Sequence, residues 1–237
     1  MKKIIISDFD DTIYINGVID KKTVKLIHQF RKHGNLFIIA SGSSYPSLID
    51  KLKDSHLEYD YLICDHGCNI IKDNKLIFSE VIAPNIVKEL VIYYQLDSKE
   101  KVFAVSRDKG VVNLNHGDIS KLQIPFPKAG DDFQAMNYIK NKYGNQVNCY
   151  CIMHNNAVEI IPGEASKLKA VDKIIKIDRL EHHKIYTIGD GYSDIEMVKK
   201  YNGYCVENAV SDLKQISNKI YKCFPDFLSD IVTYKII

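Results

Sequence analysis

The chain has 237 residues, 46% of them hydrophobic, and its 32 basic and 30 acidic residues leave a formal charge of +2. That length holds one large domain, or a core bearing a smaller one. Balanced charge with no basic tail or stripe argues against a nucleic-acid partner, and no apolar run approaches the ~20 residues that cross a bilayer. The opening Met1-Lys-Lys and three isoleucines are too short for a signal peptide, so a cytoplasmic protein is expected, a monomer or weak homodimer with no membrane partner. The six cysteines fall mostly in or beside apolar runs, where a reduced thiol packs as a small hydrophobe. Cys64 and Cys68 around His66, and Cys149 and Cys151 before His154, lack the repeated spacing of a zinc site.

Residues 4–6 are an isoleucine run of the kind found in a strand buried on both faces of a parallel sheet, and the run ends in Asp8-Phe-Asp-Asp-Thr12. Side chains of a strand alternate with period two, so Asp8 and Asp10 share a side. Two carboxylates so placed can divide the work of nucleophile and general acid/base, and together they invite a hard cation. Residues 13–18, closed by Asn16-Gly17, form a small hairpin or flap. A helix follows from Asp20 as N-cap, turns Val24, Ile27 and Phe30 inward and stops at Gly34. The next buried strand, 36–40, ends in Ser41-Gly-Ser-Ser44 before Pro46, gathering hydroxyls and free N–H groups at a strand-to-helix junction. A third strand spans 61–64, and 70–78 is a hairpin turning at Asp73-Asn74.

The pattern changes between residues 81 and 163. Pro84 opens a helix to Gln95, strands follow at 102–106 and 111–114, and a loop with Pro125 and Pro127 intervenes. A helix over 131–143 and strands at 147–153 and 158–161 complete a small α+β unit. Pro162-Gly163 restores the alternation. An amphipathic helix runs over 166–175, and the buried strand 185–188 ends in Gly189-Asp-Gly-Tyr-Ser-Asp194. A strand at 204–206, a helix over 210–220, a short strand near Ile220 and a helix after Pro225 close the chain. This order predicts an α/β fold, a Rossmann-like three-layer core with a parallel sheet built from 1–80 and 164–237, with 81–163 inserted into it.

In open α/β sheets the ligand crevice lies at the carboxyl ends of the strands, where Asp8/Asp10, Ser41/Gly42 and Asp190/Asp194 all fall; Lys167 starts the helix after the insertion. Carboxylates converging without a counterion repel one another, so a divalent ion is expected, and all-oxygen ligands point to Mg²⁺.

This set, in this order, resembles the haloacid dehalogenase superfamily of phosphotransferases, in its Cof-like branch with a type IIB cap. Asp-x-Asp-x-Thr matches Asp8 to Thr12, the Ser or Thr after a buried strand matches Ser41-Gly42, the family's lysine matches Lys167, and Gly-Asp-Gly-x-x-Asp matches Gly189 to Asp194. The resemblance implies that Asp8 attacks phosphorus to give an aspartyl-phosphate, and that Asp10 protonates the leaving alcohol and then activates water. Ser41, the Gly42 N–H and Lys167 would hold the phosphoryl oxygens, and Asp8, the Asp10 carbonyl, Asp190 and Asp194 would hold Mg²⁺. It further implies that 81–163 is a cap that excludes water and selects a small phosphorylated metabolite, such as a sugar phosphate or phosphoglycolate. Asp11 stands where the branch has glycine, Ser43 where arginine is common, His66 where asparagine precedes glycine and Ser193 where asparagine is usual. Ser193 and Asn208 are expected to support the acidic loop. Arg107, Lys109, His116, His154 and Asn155 are polar candidates for contact with the substrate, but each is expected to be an exposed polar residue instead. Ser43 and His66, near the second and third strand tips, could line the crevice, though His66 is expected to be a loop histidine without a role; His182 and His183 are expected to be solvated. The alternatives are a phosphomutase on a sugar phosphate and a switch module phosphorylated on aspartate. The switch fits less well because receiver domains resemble a short uninterrupted fold with the acceptor after a later strand.

Overall fold

The structure, a computed structural model, describes residues 2–107, 109–152 and 156–233. In chain order it runs through β1 (Lys3–Ser7), the two-stranded flap β2 (Tyr14–Ile15) and β3 (Val18–Ile19), α1 (Lys21–Lys32), β4 (Leu36–Ala40), α2 (Tyr45–Leu52), β5 (Tyr61–Cys64), β6 (Asn69–Lys72) and β7 (Lys75–Ser79). Then follow α3 (Pro84–Tyr94), β8 (Phe103–Ser106), β9 (Gly110–Val112), β10 (Ile119–Pro125), α4 (Asp131–Tyr143), β11 (Val147–Ile152) and β12 (Ala157–Pro162). The remainder is α5 (Lys167–Ile177), β13 (Lys184–Gly189), α6 (Ile195–Lys200), β14 (Tyr204–Val206), α7 (Ser211–Ile216), β15 (Ile220–Tyr221) and α8 (Phe224–Thr233).

Eight strands form the main sheet in the order β15-β14-β13-β1-β4-β5-β6-β7. The first six pair in parallel, and the β6–β7 hairpin extends the edge antiparallel. The isoleucine run of β1 lies at the centre with no solvent exposure, because parallel neighbours flank it and helices cover both faces. Alternation sorts its side chains: Ile4 and Ile6 pack with Ile38, Ile63 and Val171 of α5, whereas Ile5 packs with Phe37, Phe30 of α1 and Phe227 of α8. The result is a three-layer α/β core. From β1 the chain steps one way to β4 and β5 and later returns on the other side to β13, so the strand order reverses at β1. A crevice opens at such a reversal, beyond the carboxyl ends of the strands.

Residues 84–162 build a second, antiparallel sheet in the order β11-β12-β10-β8-β9. One face packs Ala104, Leu122 and Ile160 against Ile86 and Leu90 of α3 and Ile139 of α4. The opposite face carries Val105, Lys121, Gln123, Tyr150 and Glu159, which line the crevice over β1. Two expectations need correction here. The segment around 119–125, read as part of a loop, is the longest strand of this sheet and lies at its centre. A bulge between Ile119 and Lys121 breaks its period-two pattern, and Pro125 at its end reads as a stop. The helix expected over 210–220 is α7 alone, because the chain turns out after Ile216 to form β15.

Candidate active site

The acidic tip of β1 is shaped by its own turn. The N–H groups of Thr12, Ile13 and Tyr14 converge on the Phe9 carbonyl, folding the chain back into the flap. Asp11 sits in this turn at φ +58°, a left-handed conformation that asparagine and aspartate tolerate better than most residues, which accounts for a position otherwise suited to glycine. Asn208 donates to the Asp11 carbonyl at 2.8 Å and so ties the segment after β14 to the turn after β1, not to the 189–194 loop it was expected to support.

Asp8, Asp190 and Asp194 converge, with a ligand oxygen of each within 4.8 Å of the others. Lys167, 1% exposed at the first turn of α5, donates to Asp8 Oδ1 at 2.6 Å and to Asp194 Oδ1 at 2.8 Å. Thr12 Oγ1 donates to Asp190 Oδ1 at 2.7 Å, and Asp194 Oδ2 accepts from the N–H groups of Gly191 at 3.0 Å and Asp190 at 3.2 Å. Burial pushes the Asp8 carboxyl up to about 8, with Lys167 pulling it back and Asp190 adding to the rise. Burial also raises Asp190 and Asp194. Burial works against the charge of Lys167, yet Asp194 and Asp8 hold it above its ordinary value. Three carboxylates facing one ammonium leave surplus negative charge, and a hard divalent cation on these oxygen donors would relieve it; the residues present therefore fit Mg²⁺.

Asp10 lies beside this cluster with its carboxylate turned toward α2. Its Oδ1 accepts from Lys51 Nζ at 2.5 Å and its Oδ2 from Ser43 Oγ at 2.8 Å, with Ser41 Oγ 3.5 Å away. The Ser41 hydroxyl, fully buried at the tip of β4, accepts from the Ser43 N–H at 2.9 Å. The Gly42 N–H meets no acceptor among the described residues. A side chain at position 42 would place its Cβ 2.4 Å from the His66 ring, so only glycine fits. Gly42, Ser43 and His66, with Asp8, Asp10, Asp190 and Lys167, border a cleft of 890 Å³ between the two sheets.

The structure brings together Asp8, Asp10, Ser41, Gly42, Lys167, Asp190 and Asp194, all the residues expected from the sequence. His66 departs from expectation: it is not a free loop histidine but is buried at the tip of β5, its Nε2 2.5 Å from Glu159 Oε2. His182 is exposed, whereas His183 is only half-exposed and its Nδ1 is shielded from solvent. The described polar candidates of the inserted segment do not line this cleft, in line with the expectation of ordinary exposed polar residues: Arg107 and Lys109 are exposed and His116 is half-exposed. Arg107 pairs with Asp118 at 3.6 Å, and Lys109 and His116 line a separate surface hollow; His154 and Asn155 lie outside the described residues. Lys51, Lys121 and Glu159 were not anticipated. The one signal available for them was Glu159, a lone charge inside the otherwise apolar run of β12.

The model of the haloacid dehalogenase-like hydrolases matches residues 5–141 and 114–224. A protein of Bacillus subtilis named "Putative phosphatase YkrA" is 23% identical over 238 residues, covering 93% of this chain and 92% of its own. Phosphoglycolate phosphatase 1 of Saccharolobus solfataricus is 24% identical over 224 residues, covering 93% of this chain and 89% of its own. Among solved structures, one titled "a putative HAD/COF-like hydrolase from Plasmodium vivax" superposes with a TM-score of 0.84 at 16% identity, covering 99% of this chain and 96% of that one. With acidic tips on β1 and β13 and a lysine-led α5 on the reversal of its sheet, the chain belongs to the haloacid dehalogenase-like hydrolases.

Proposed function

We propose that the protein is a Mg²⁺-dependent phosphomonoesterase acting on a small phosphorylated metabolite, such as a sugar phosphate or phosphoglycolate, through an aspartyl-phosphate. The observation that carries this reading is the convergence of Asp8, Asp190, Asp194 and Lys167 beside the Ser41–Gly42 turn, at one end of the cleft. The Asp8 carboxylate attacks phosphorus and forms a new P–O bond as the bond to the leaving alcohol breaks. Asp10 delivers a proton to that alcohol, then takes one from the water that hydrolyses the acyl phosphate. The Ser41 hydroxyl, the Gly42 N–H and Lys167 bear the charge on the phosphoryl oxygens, so that positioning and electrostatics supply the acceleration. Asp8, the Asp10 carbonyl and Asp190, with Asp194 alongside, would hold Mg²⁺, which when bound neutralises the oxygens of the transferring group. The 81–163 segment serves as a cap over the leaving group; Gln123 and Tyr150 line its side of the cleft, together with the apolar Val105 and Ile152.

The test is phosphate release from p-nitrophenyl phosphate and a panel of sugar phosphates and phosphoglycolate, with and without Mg²⁺, for the wild type beside Asp8→Asn. Turnover is expected to require the metal and to fall by at least about 10³-fold in Asp8→Asn, on the scale of losing a nucleophile. Metal-independent turnover, or full activity in Asp8→Asn, would reject the reading.

A further inference from the structure

The Ser41–Ser43 turn is held by every one of its carbonyls. Ser41 O accepts from the His66 N–H at 3.0 Å and Ser43 O from the Asp65 N–H at 3.0 Å, both within the core. Gly42 O accepts from Lys121 Nζ at 2.5 Å, a side chain that comes from β10 of the second sheet. Trans peptides are planar, so each carbonyl fixes the N–H on its opposite side. Pinning Ser41 O leaves the Gly42 N–H turned away from the His66 N–H and without an acceptor among the described residues. Pinning Gly42 O fixes the Ser43 N–H, which donates to Ser41 Oγ at 2.9 Å. Through one rigid peptide, Lys121 thus orients the Ser41 hydroxyl.

Two of the three N–H donors of Lys121 are engaged within the protein. Beyond Gly42 O, its ammonium meets Glu159 Oε1 at 2.9 Å and Asp65 Oδ1 at 3.7 Å, and Glu159 uses its other oxygen on His66. Lys121 is 6% exposed and Glu159 8%, so the cluster is desolvated charge, which gives little net stability and is better suited to fixing one arrangement. The His66 ring closes the other side of Gly42, where a Cβ would collide with it.

We infer that Lys121 is a positioning residue for the phosphate-binding turn: the second sheet, when seated on the core, sets the Gly42–Ser43 peptide and with it the Ser41 hydroxyl. The inference rests on the proposed function in taking this turn as the phosphoryl site. Seating of that sheet then completes the site as well as covering it.

The test is calorimetric binding of inorganic phosphate in the presence of Mg²⁺, which needs no turnover, together with kcat and KM for p-nitrophenyl phosphate and a bulkier sugar phosphate. Lys121→Met is expected to weaken phosphate binding about tenfold and to raise KM by the same factor for both substrates. Because Lys121→Met strands two buried carboxylates, the double variant Lys121→Met/Glu159→Gln, with its folding checked by thermal melting, must show the same loss, and Lys121→Arg must recover part of it. Phosphate bound equally by the wild type and the folded double variant would overturn the inference alone, as would a loss confined to the bulkier substrate, which would make Lys121 a reader of the leaving group. A wild type that binds no phosphate would overturn the proposed function with it.

Discussion

Asp10 is held by Lys51 at 2.5 Å and Ser43 at 2.8 Å, and Lys51 also stands 3.1 Å from Ser43 Oγ. The acid/base part proposed for Asp10, handing a proton to one oxygen and taking it from another, gains from a fixed direction. Lys51→Met frees the Asp10 side chain, so turnover of alkyl phosphates, whose leaving oxygen needs the proton, should drop about tenfold or more, while p-nitrophenyl phosphate, with its stable phenolate, should be affected less. Measuring kcat/KM for both substrates checks this, and equal losses would assign Lys51 to another task. Asp8, Asp10, Asp190 and Asp194 were legible because each sits in a short motif just past a strand tip; β1 ends at Ser7 and β13 at Gly189, so it is the turns after them, not strand alternation, that aim these side chains. Lys51 was not, because its link to Asp10 runs from α2 across to the turn after β1, with no local spacing to announce it. Asp65 and His66 share this blind spot: both sit at positive φ before Gly67, and only the fold reveals that this left-handed turn carries their N–H groups to the carbonyls of the Ser41–Ser43 turn.

At the scale of elements, α5 aims Lys167 into the core. Ser166 caps the helix by accepting from the Lys169 N–H at 3.2 Å, and the amphipathic run then buries Val171 and Ile174 against the sheet. The turn after β5 sets where this helix starts. Gly67 has φ +109°, and a Cβ there would lie 2.2 Å from the Ser166 carbonyl, a backbone atom without a rotamer to escape by. Gly67→Ala should cost about 2 kcal/mol or more through strain and overpacking, and should reduce kcat by shifting Lys167 relative to Asp8. Denaturant melts and turnover measured on the same sample test both effects; a stable variant with unaltered kcat would show that the helix start tolerates displacement. Most elements were readable in the sequence, because strand tips, caps and hairpin turns carry local chemistry. β10 was not, since its bulge spoils the alternation that marks a strand and its placement between β8 and β12 is a tertiary fact.

At the scale of the whole molecule, the seam between the sheets joins groups whose protonation differs between folded and unfolded chains. Burial lowers the His66 pKa although Glu159 pulls the other way, so the unfolded state binds a proton below about pH 6.5 that the folded state resists. Stability from this histidine is therefore present above that pH and lost as the pH falls. Asp65 acts in the opposite sense, because burial raises it to about 6 and the folded state takes its proton first. Comparing wild type with His66→Gln separates the two: Asp65 is common to both, so any melting-temperature deficit of the variant at pH 8 should shrink or reverse by about pH 5.5. An unchanged difference across that range would mean that the imidazole titrates as in solution.

The central place of β1 also bears on the order in which the molecule is made. Its partner on one side, β4, leaves the ribosome soon after it, whereas its partner on the other, β13, follows about 180 residues later. At about 5–20 residues per second, the isoleucine strand waits on the order of ten seconds or more with one edge bare. The second sheet, whose strands pair only with one another, is synthesised within that interval and can fold during it. Asp8 therefore gains Lys167 and Asp190 only late in synthesis, and until then the nascent chain carries the proposed nucleophile outside any completed site.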